Sequence, residues 1–166
     1  MIKQDMQYDR DIEIVVDVLN YSTKKYLNGF FCGNPSIDNY FAKQAFNDSN
    51  AVTHIFRDKN KDVAVTLVTL CCSKVDIVGR TNRMDGDVGY KLCSSLPTVE
   101  IKYFATNQKY QARMYTDTKT LSQAIMCKVI QMIYDWSQSM LGVSKIILYA
   151  VPDKVNFYQR CGFVHY

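Results

Sequence analysis

Nowhere does an uninterrupted apolar stretch of this sequence approach the ~20 residues that a bilayer-spanning helix needs, which argues against a helical membrane protein. The opening residues, Met1 to Arg10, hold no apolar segment of the kind that directs export, so a cytoplasmic protein is the default expectation. Paired cysteines are missing too. Cys32, Cys71, Cys72, Cys93, Cys127 and Cys161 include no C-x-x-C spacing, and neither His54 nor His165 stands at a ligand-like separation from them. That pattern predicts no metal and reduced, mostly buried thiols. No basic run exceeds Lys24-Lys25, and the net charge of +4 is spread along the chain. A solvated surface fits this better than a nucleic-acid patch, although a basic groove for an anionic cofactor would carry the same total. Internal repeats and low-complexity segments are absent as well.

What is present suits one globular domain. The 166 residues are 48% hydrophobic and 22% charged, enough for a single core. Asp11 to Leu19 alternates and is β-branched, predicting a first strand. Asn34-Pro35 reads as an N-cap followed by proline, with Ile37, Tyr40, Phe41 and Ala45 at helical spacing, so a helix is expected over Pro35 to Phe46. Ala51 to Arg57 and Asp62 to Val75 flank a polar turn and predict a hairpin. Asp76 to Leu96, with three glycines and both charge signs, breaks the pattern. It is expected to be a long loop, either mobile or beside an acceptor substrate, with Arg80, Arg83 and Lys91 as candidate contacts.

The most informative stretch runs from Pro97 to Leu121. Alternation from Thr98 to Thr106 puts Val99, Ile101, Tyr103 and Ala105 on one face of a strand and Glu100, Lys102, Phe104 and Thr106 on the other. A polar segment then leads into a helix starting near Thr118, whose stripe of Leu121, Ile125, Val129, Met132, Ile133, Trp136 and Met140 is a core face. Gly142 ends it, Lys145 to Val151 predicts a buried strand, and Pro152-Asp153 opens a short helix. Strand, loop and helix start in this order suit an anion, because a helix start presents unpaired N–H groups and partial positive charge. Thr118 or Thr120 capping that helix with no ligand is the plainer alternative.

These residues resemble a known family. Ala105 ahead of Gln111, and the later Phe157-Tyr158-x-x-Cys161-Gly162-Phe163, resemble the GNAT N-acetyltransferases, whose fourth strand leads into a Q-x-x-G-x-G/A loop that holds the pyrophosphate of acetyl-CoA. Phe31-Cys32-Gly33 followed by Ile37-Asp38 is similar to the F-x-C-G branch that includes toxins acetylating aminoacyl-tRNA. The resemblance implies a mixed α/β fold, a central mixed sheet flanked by helices, with the last strand incomplete because the chain stops at Tyr166 just after Gly162-Phe163. An edge left open in this way would suit a homodimer or an antitoxin partner.

The same resemblance implies the chemistry: an acetyl group passes from acetyl-CoA to an amine on tRNA, a protein or a small molecule by direct attack. Phe104, Ala105 and Thr106 would hold the pantetheine arm through their backbone. Gln111, Ala112, Arg113, Lys119 and Thr120 would form the phosphate loop, in which Met114 stands where a glycine is expected. Tyr158 would protonate the departing thiolate, and Glu100 would act as base. Two plainer alternatives stay open at these positions, Tyr158 as a packed aromatic and Glu100 as a solvent-facing strand residue paired with Lys102 or with a neighbour across the sheet. The altered loop also leaves open a non-catalytic protein that keeps the fold as a scaffold.

Overall fold

A computed structural model describes residues 12–82 and 88–165, with the side chains of 80–82 and 88–93 excepted. Five strands form one sheet in the order β1-β2-β3-β4-β5: β1 (Ile14–Val18), β2 (Val52–Asp58), β3 (Val63–Asn82), β4 (Val88–Thr106) and β5 (Lys145–Ile147). The first four pair antiparallel and β4 pairs β5 in parallel. Helix α1 (Pro35–Lys43) lies between β1 and β2, α2 (Leu121–Ser139) makes the parallel crossover from β4 to β5, and α3 (Val155–Arg160) follows. The helix expected from Pro35 is shorter than the spacing suggested and gives way to a 3-10 turn at Ala45–Asn47.

Two apolar clusters cover the sheet. Phe56, Val68, Leu70, Val99 and Ile101 pack against Leu121, Ile125, Val129 and Ile133 of α2. Ile55, Leu67, Tyr103 and Ala105 pack against Tyr40 and Phe41 of α1. The stripe on α2 is thus the core face anticipated from its three-and-four spacing as far as Trp136, while Met140, expected on it, caps the helix and is exposed.

The structure corrects two sequence expectations. The described parts of Asp76 to Leu96 are not a loop: Asp76–Asn82 and Val88–Leu96 extend β3 and β4 into one long hairpin, with Val75 opposite Leu96 and Asn82 opposite Val88. Glycines weaken a strand on their own account, but here each arm supplies hydrogen-bond partners to the other. Arg83 lies outside the described residues, as do the side chains of Arg80 and Lys91. The second correction concerns β4. Thr69 pairs with Tyr103 and Leu70 with Ile101, so Lys102 is a surplus residue, a bulge. Alternation therefore changes phase there. Val99, Ile101 and Phe104 belong to the α2 side, while Tyr103 and Ala105 belong to the α1 side.

The β4–β5 pairing is confined to Thr98–Glu100 against Lys145–Ile147. Beyond Glu100 the two strands part, and Ile101–Thr106 continues beside β3 alone. Residues 148–151, expected to prolong β5, fall outside any strand.

Candidate functional site

The parting of β4 and β5 gathers the sequence-predicted residues around one stretch of backbone. Phe104 and Ala105 lie beyond the split, one per face. Thr106 ends the strand buried, its hydroxyl within 3.1 Å of the Thr66 hydroxyl and accepting from Ser122 Oγ of α2 at 3.0 Å. Across the gap, α3 sets the Phe157 ring 5.7 Å from that of Phe104. Tyr158 packs edge-on against Phe157 at 5.1 Å and Phe163 at 6.1 Å. It lines a largely apolar cavity of about 900 Å3 along the outer edge of β5. Burial pushes the Tyr158 phenol up to about 12, so at neutral pH it is a hydrogen-bond donor that keeps its proton.

The loop from β4 to α2 is closed by its own backbone. Gln111 Nε2 donates to Thr106 O at 2.9 Å and to Cys32 O at 2.7 Å. Ala112 is exposed, and the Arg113 guanidinium lies 4.5 Å over the Tyr110 ring. Met114 and Thr120 form an antiparallel bridge, with Tyr115 N–H donating to Lys119 O at 2.8 Å. At the head of α2, Thr120 and Gln123 form a reciprocal capping box, and Leu121 N–H donates to Arg113 O at 2.9 Å. The N–H groups of Thr120, Leu121 and Gln123 are thus occupied from within the chain. The positive character of the helix start remains. Lys119 and Arg160 add charge nearby, since both favour the thiolate of Cys161 electrostatically.

The Phe31-Cys32-Gly33 turn has a local reason. Gly33 has φ +89°, a conformation that side chains resist, and the Asp38 carboxylate accepts from Cys32 N–H at 2.8 Å and Gly33 N–H at 3.2 Å. Gln108 N–H donates to Phe31 O, joining the turn to the end of β4. Burial is the main cause that raises the Cys32 and Cys161 thiols to about 11, so neither is a ready nucleophile. Among the described residues no group of His, Cys, Asp and Glu could hold a metal ion, and no helix is long and apolar enough to cross a membrane.

Glu100 stands opposite Cys71 in the β3–β4 register, on the last paired residue before the split. Sequence reasoning missed its neighbours. Lys102 Nζ donates to Asp48 Oδ2 at 2.8 Å and lies 5.3 Å from the Tyr40 ring, and Tyr40 donates to the same carboxylate at 2.8 Å. These partners hold the Asp48 carboxyl below the usual range, Lys102 foremost. The bulge turns Lys102 to this face, and a two-residue pattern gave no sign of it.

No family model matches the chain, and no curated protein does. Solved structures do. A tyrosine-to-phenylalanine mutant of the AtaT toxin superposes with TM-score 0.69 at 15% identity, covering 95% of this chain and 84% of that one. AtaTR bound with AcCoA gives 0.70 at 15% identity, over 92% and 86%. The chain has the GNAT fold. AtaT complexed with acetyl-methionyl-tRNAfMet gives 0.66 at 16% identity, over 92% and 87%. The likeness extends over nearly the whole chain, at an identity that speaks for architecture alone.

Proposed function

We propose that the protein is an acetyl-CoA-dependent N-acetyltransferase whose acceptor is the amine of an aminoacyl-tRNA. The observation that carries this reading is the split of β4 from β5 after Glu100, in a fold shared with toxins bound to AcCoA and to an acetylated aminoacyl-tRNA. Acetyl-CoA supplies an activated thioester; the chain has only to bind it, align the amine and manage protons. The backbone of Phe104, Ala105 and Thr106 has no strand partner on its β5 side, the Thr106 carbonyl taking the Gln111 amide, and is suited to hydrogen-bond an extended amide arm. Phe104 and Phe157 give that arm an apolar wall. Lys119, Arg160 and the positive head of α2 suit a diphosphate, with Gln111, Ala112, Arg113 and Thr120 shaping the loop rather than lending it open N–H groups.

In the reaction the amine attacks the thioester carbonyl, the C–S bond breaks, the amine loses a proton and the sulfur gains one. Glu100, the last paired residue before the split, is the proposed base. Tyr158 is the assigned donor to sulfur. Its raised affinity for its proton makes it a group that donates as the thiolate forms rather than beforehand. A toxin of this kind is held in check by an antitoxin partner, so expressing the chain alone should arrest growth.

Isothermal calorimetry with acetyl-CoA tests the first step, and the absence of heat at millimolar cofactor refutes it. Tyr158→Phe should slow acetylation of aminoacyl-tRNA by about a hundredfold with cofactor affinity nearly intact; an unchanged rate removes the assigned donor. One observation favours a second reading, a scaffold that keeps the fold without catalysis: the capping box satisfies the head of α2 from within. That reading predicts neither cofactor heat nor transfer to any amine.

A further inference from the structure

The bend after β1 is pinned by its own side chains and carries a ring into solvent. Asn20 Oδ1 accepts from the N–H groups of Ser22 and Thr23 at 2.8 and 3.2 Å, while Thr23 Oγ1 accepts from Asn20 N–H at 2.8 Å and donates to Val18 O at 2.8 Å. Tyr21 stands inside this knot and is 90% exposed, so at least one face of its ring is free. Phe46, just past α1, meets that ring edge to face at 5.0 Å and 80°, and Lys24 Nζ lies 4.1 Å over Phe46. The charge around the ring is one-sided. Between Leu19 and Asn47 the cations are Lys24, Lys25 and Lys43, and the one carboxylate, Asp38, takes the N–H groups of Cys32 and Gly33. Lys25 is held by Asp62, but among the described residues neither Lys24 nor Lys43 has a carboxylate partner.

A ring fixed by its backbone and by one edge loses little freedom when something lies on it. Nucleic acid matches both features, since a base stacks on the free face and an ammonium without a carboxylate takes a phosphate. The apolar surface of a protein partner would use the ring and leave the cation bare. Tyr21 also adjoins the proposed chemistry. Phe46 stands two residues before Asp48, which takes Lys102 Nζ at 2.8 Å, and Lys102 follows Glu100 by two residues. Burial foremost, then Glu100, raises the Cys71 thiol, and Lys102 and Asp48 also act on it, so these groups share one patch. We infer that Tyr21 is a stacking platform for an unpaired base of the RNA acceptor, with Lys24 taking a neighbouring phosphate. The inference rests on the proposed transfer to aminoacyl-tRNA and names a residue that grips the nucleic acid rather than the thioester.

The test uses the intact chain and a short fluorescein-labelled single-stranded RNA, with affinity read by anisotropy over a series of salt concentrations. Tyr21→Ala should weaken binding by about tenfold, and Tyr21→Phe, which keeps the face and loses only the hydroxyl, should restore it. Lys24→Gln should lower the slope of log affinity against log salt by about 0.7, the share of one single-strand phosphate contact. Acetyl-CoA affinity, measured in parallel, should hold in all three variants. The inference is overturned if wild-type protein does not bind the RNA, or if Tyr21→Ala binds it as well as wild type does. It is overturned as well if Tyr21→Ala changes only the oligomeric state, which marks a protein contact. Absence of acetyl-CoA binding by wild type, with RNA binding still dependent on Tyr21, refutes the acyl-transfer reading and leaves the platform assigned.

Discussion

His54 shows how a single buried side chain ties stability to pH. It sits on β2 between Val18 and Val68, almost fully buried, with its ring 5.4 Å from that of Trp136. Burial lowers its affinity for a proton. The unfolded chain therefore binds a proton more readily than the folded one, and its contribution is fully present above the ordinary histidine value of about 6.5. As pH falls below that value toward the depressed folded one, the contribution is lost. Urea midpoints across this window should fall for the wild type and stay flatter for His54→Gln, whereas equal slopes would show that the titration lies elsewhere. Neither histidine stands near a cysteine at ligand spacing, which pointed away from metal, but the sequence held no hint that one ring would lie against the only tryptophan.

Among the elements, α2 was the most legible, because its apolar stripe and its threonine cap are local signals, although it ends at Ser139 with Met140 as C-cap, short of the Gly142 expected to stop it. Thr120→Ala removes a cap whose oxygen accepts from Gln123 N–H, and should cost about 1 kcal/mol in denaturant unfolding. A loss below a few tenths would mean that the bridge to Met114 holds the helix start without it. The long hairpin was illegible for the opposite reason. Gly79 and Gly89 with mixed charges look like a loop to any local measure, and only pairing between the two arms makes strands of them. The phase change at Lys102 has the same origin. An alternating pattern carries no mark of a surplus residue, so Phe104 was assigned the wrong partners while Val99 and Ile101 kept theirs.

For the whole molecule, the motifs led to the right architecture because each records a backbone demand: the left-handed glycine of Phe31-Cys32-Gly33, the carboxylate of Asp38 four residues into its helix region, the strand that runs on past its neighbour. Illegible were features assembled from several segments, such as the Asp48–Lys102–Tyr40 group, because no linear pattern joins their parts. One such assembly reaches further than its size. The amide of Gln111 grips carbonyls of residues 32 and 106, so the entrance of the first helix and the far end of the fourth strand are latched by one rotatable group. Replacing it with leucine should speed hydrogen exchange at Gly33 and at Gln108 together, and exchange rising at only one would show two independent hinges. A ligand that shifts either end thus tugs on the other, and in the proposed acetyl transfer this would let cofactor and acceptor sense each other's arrival.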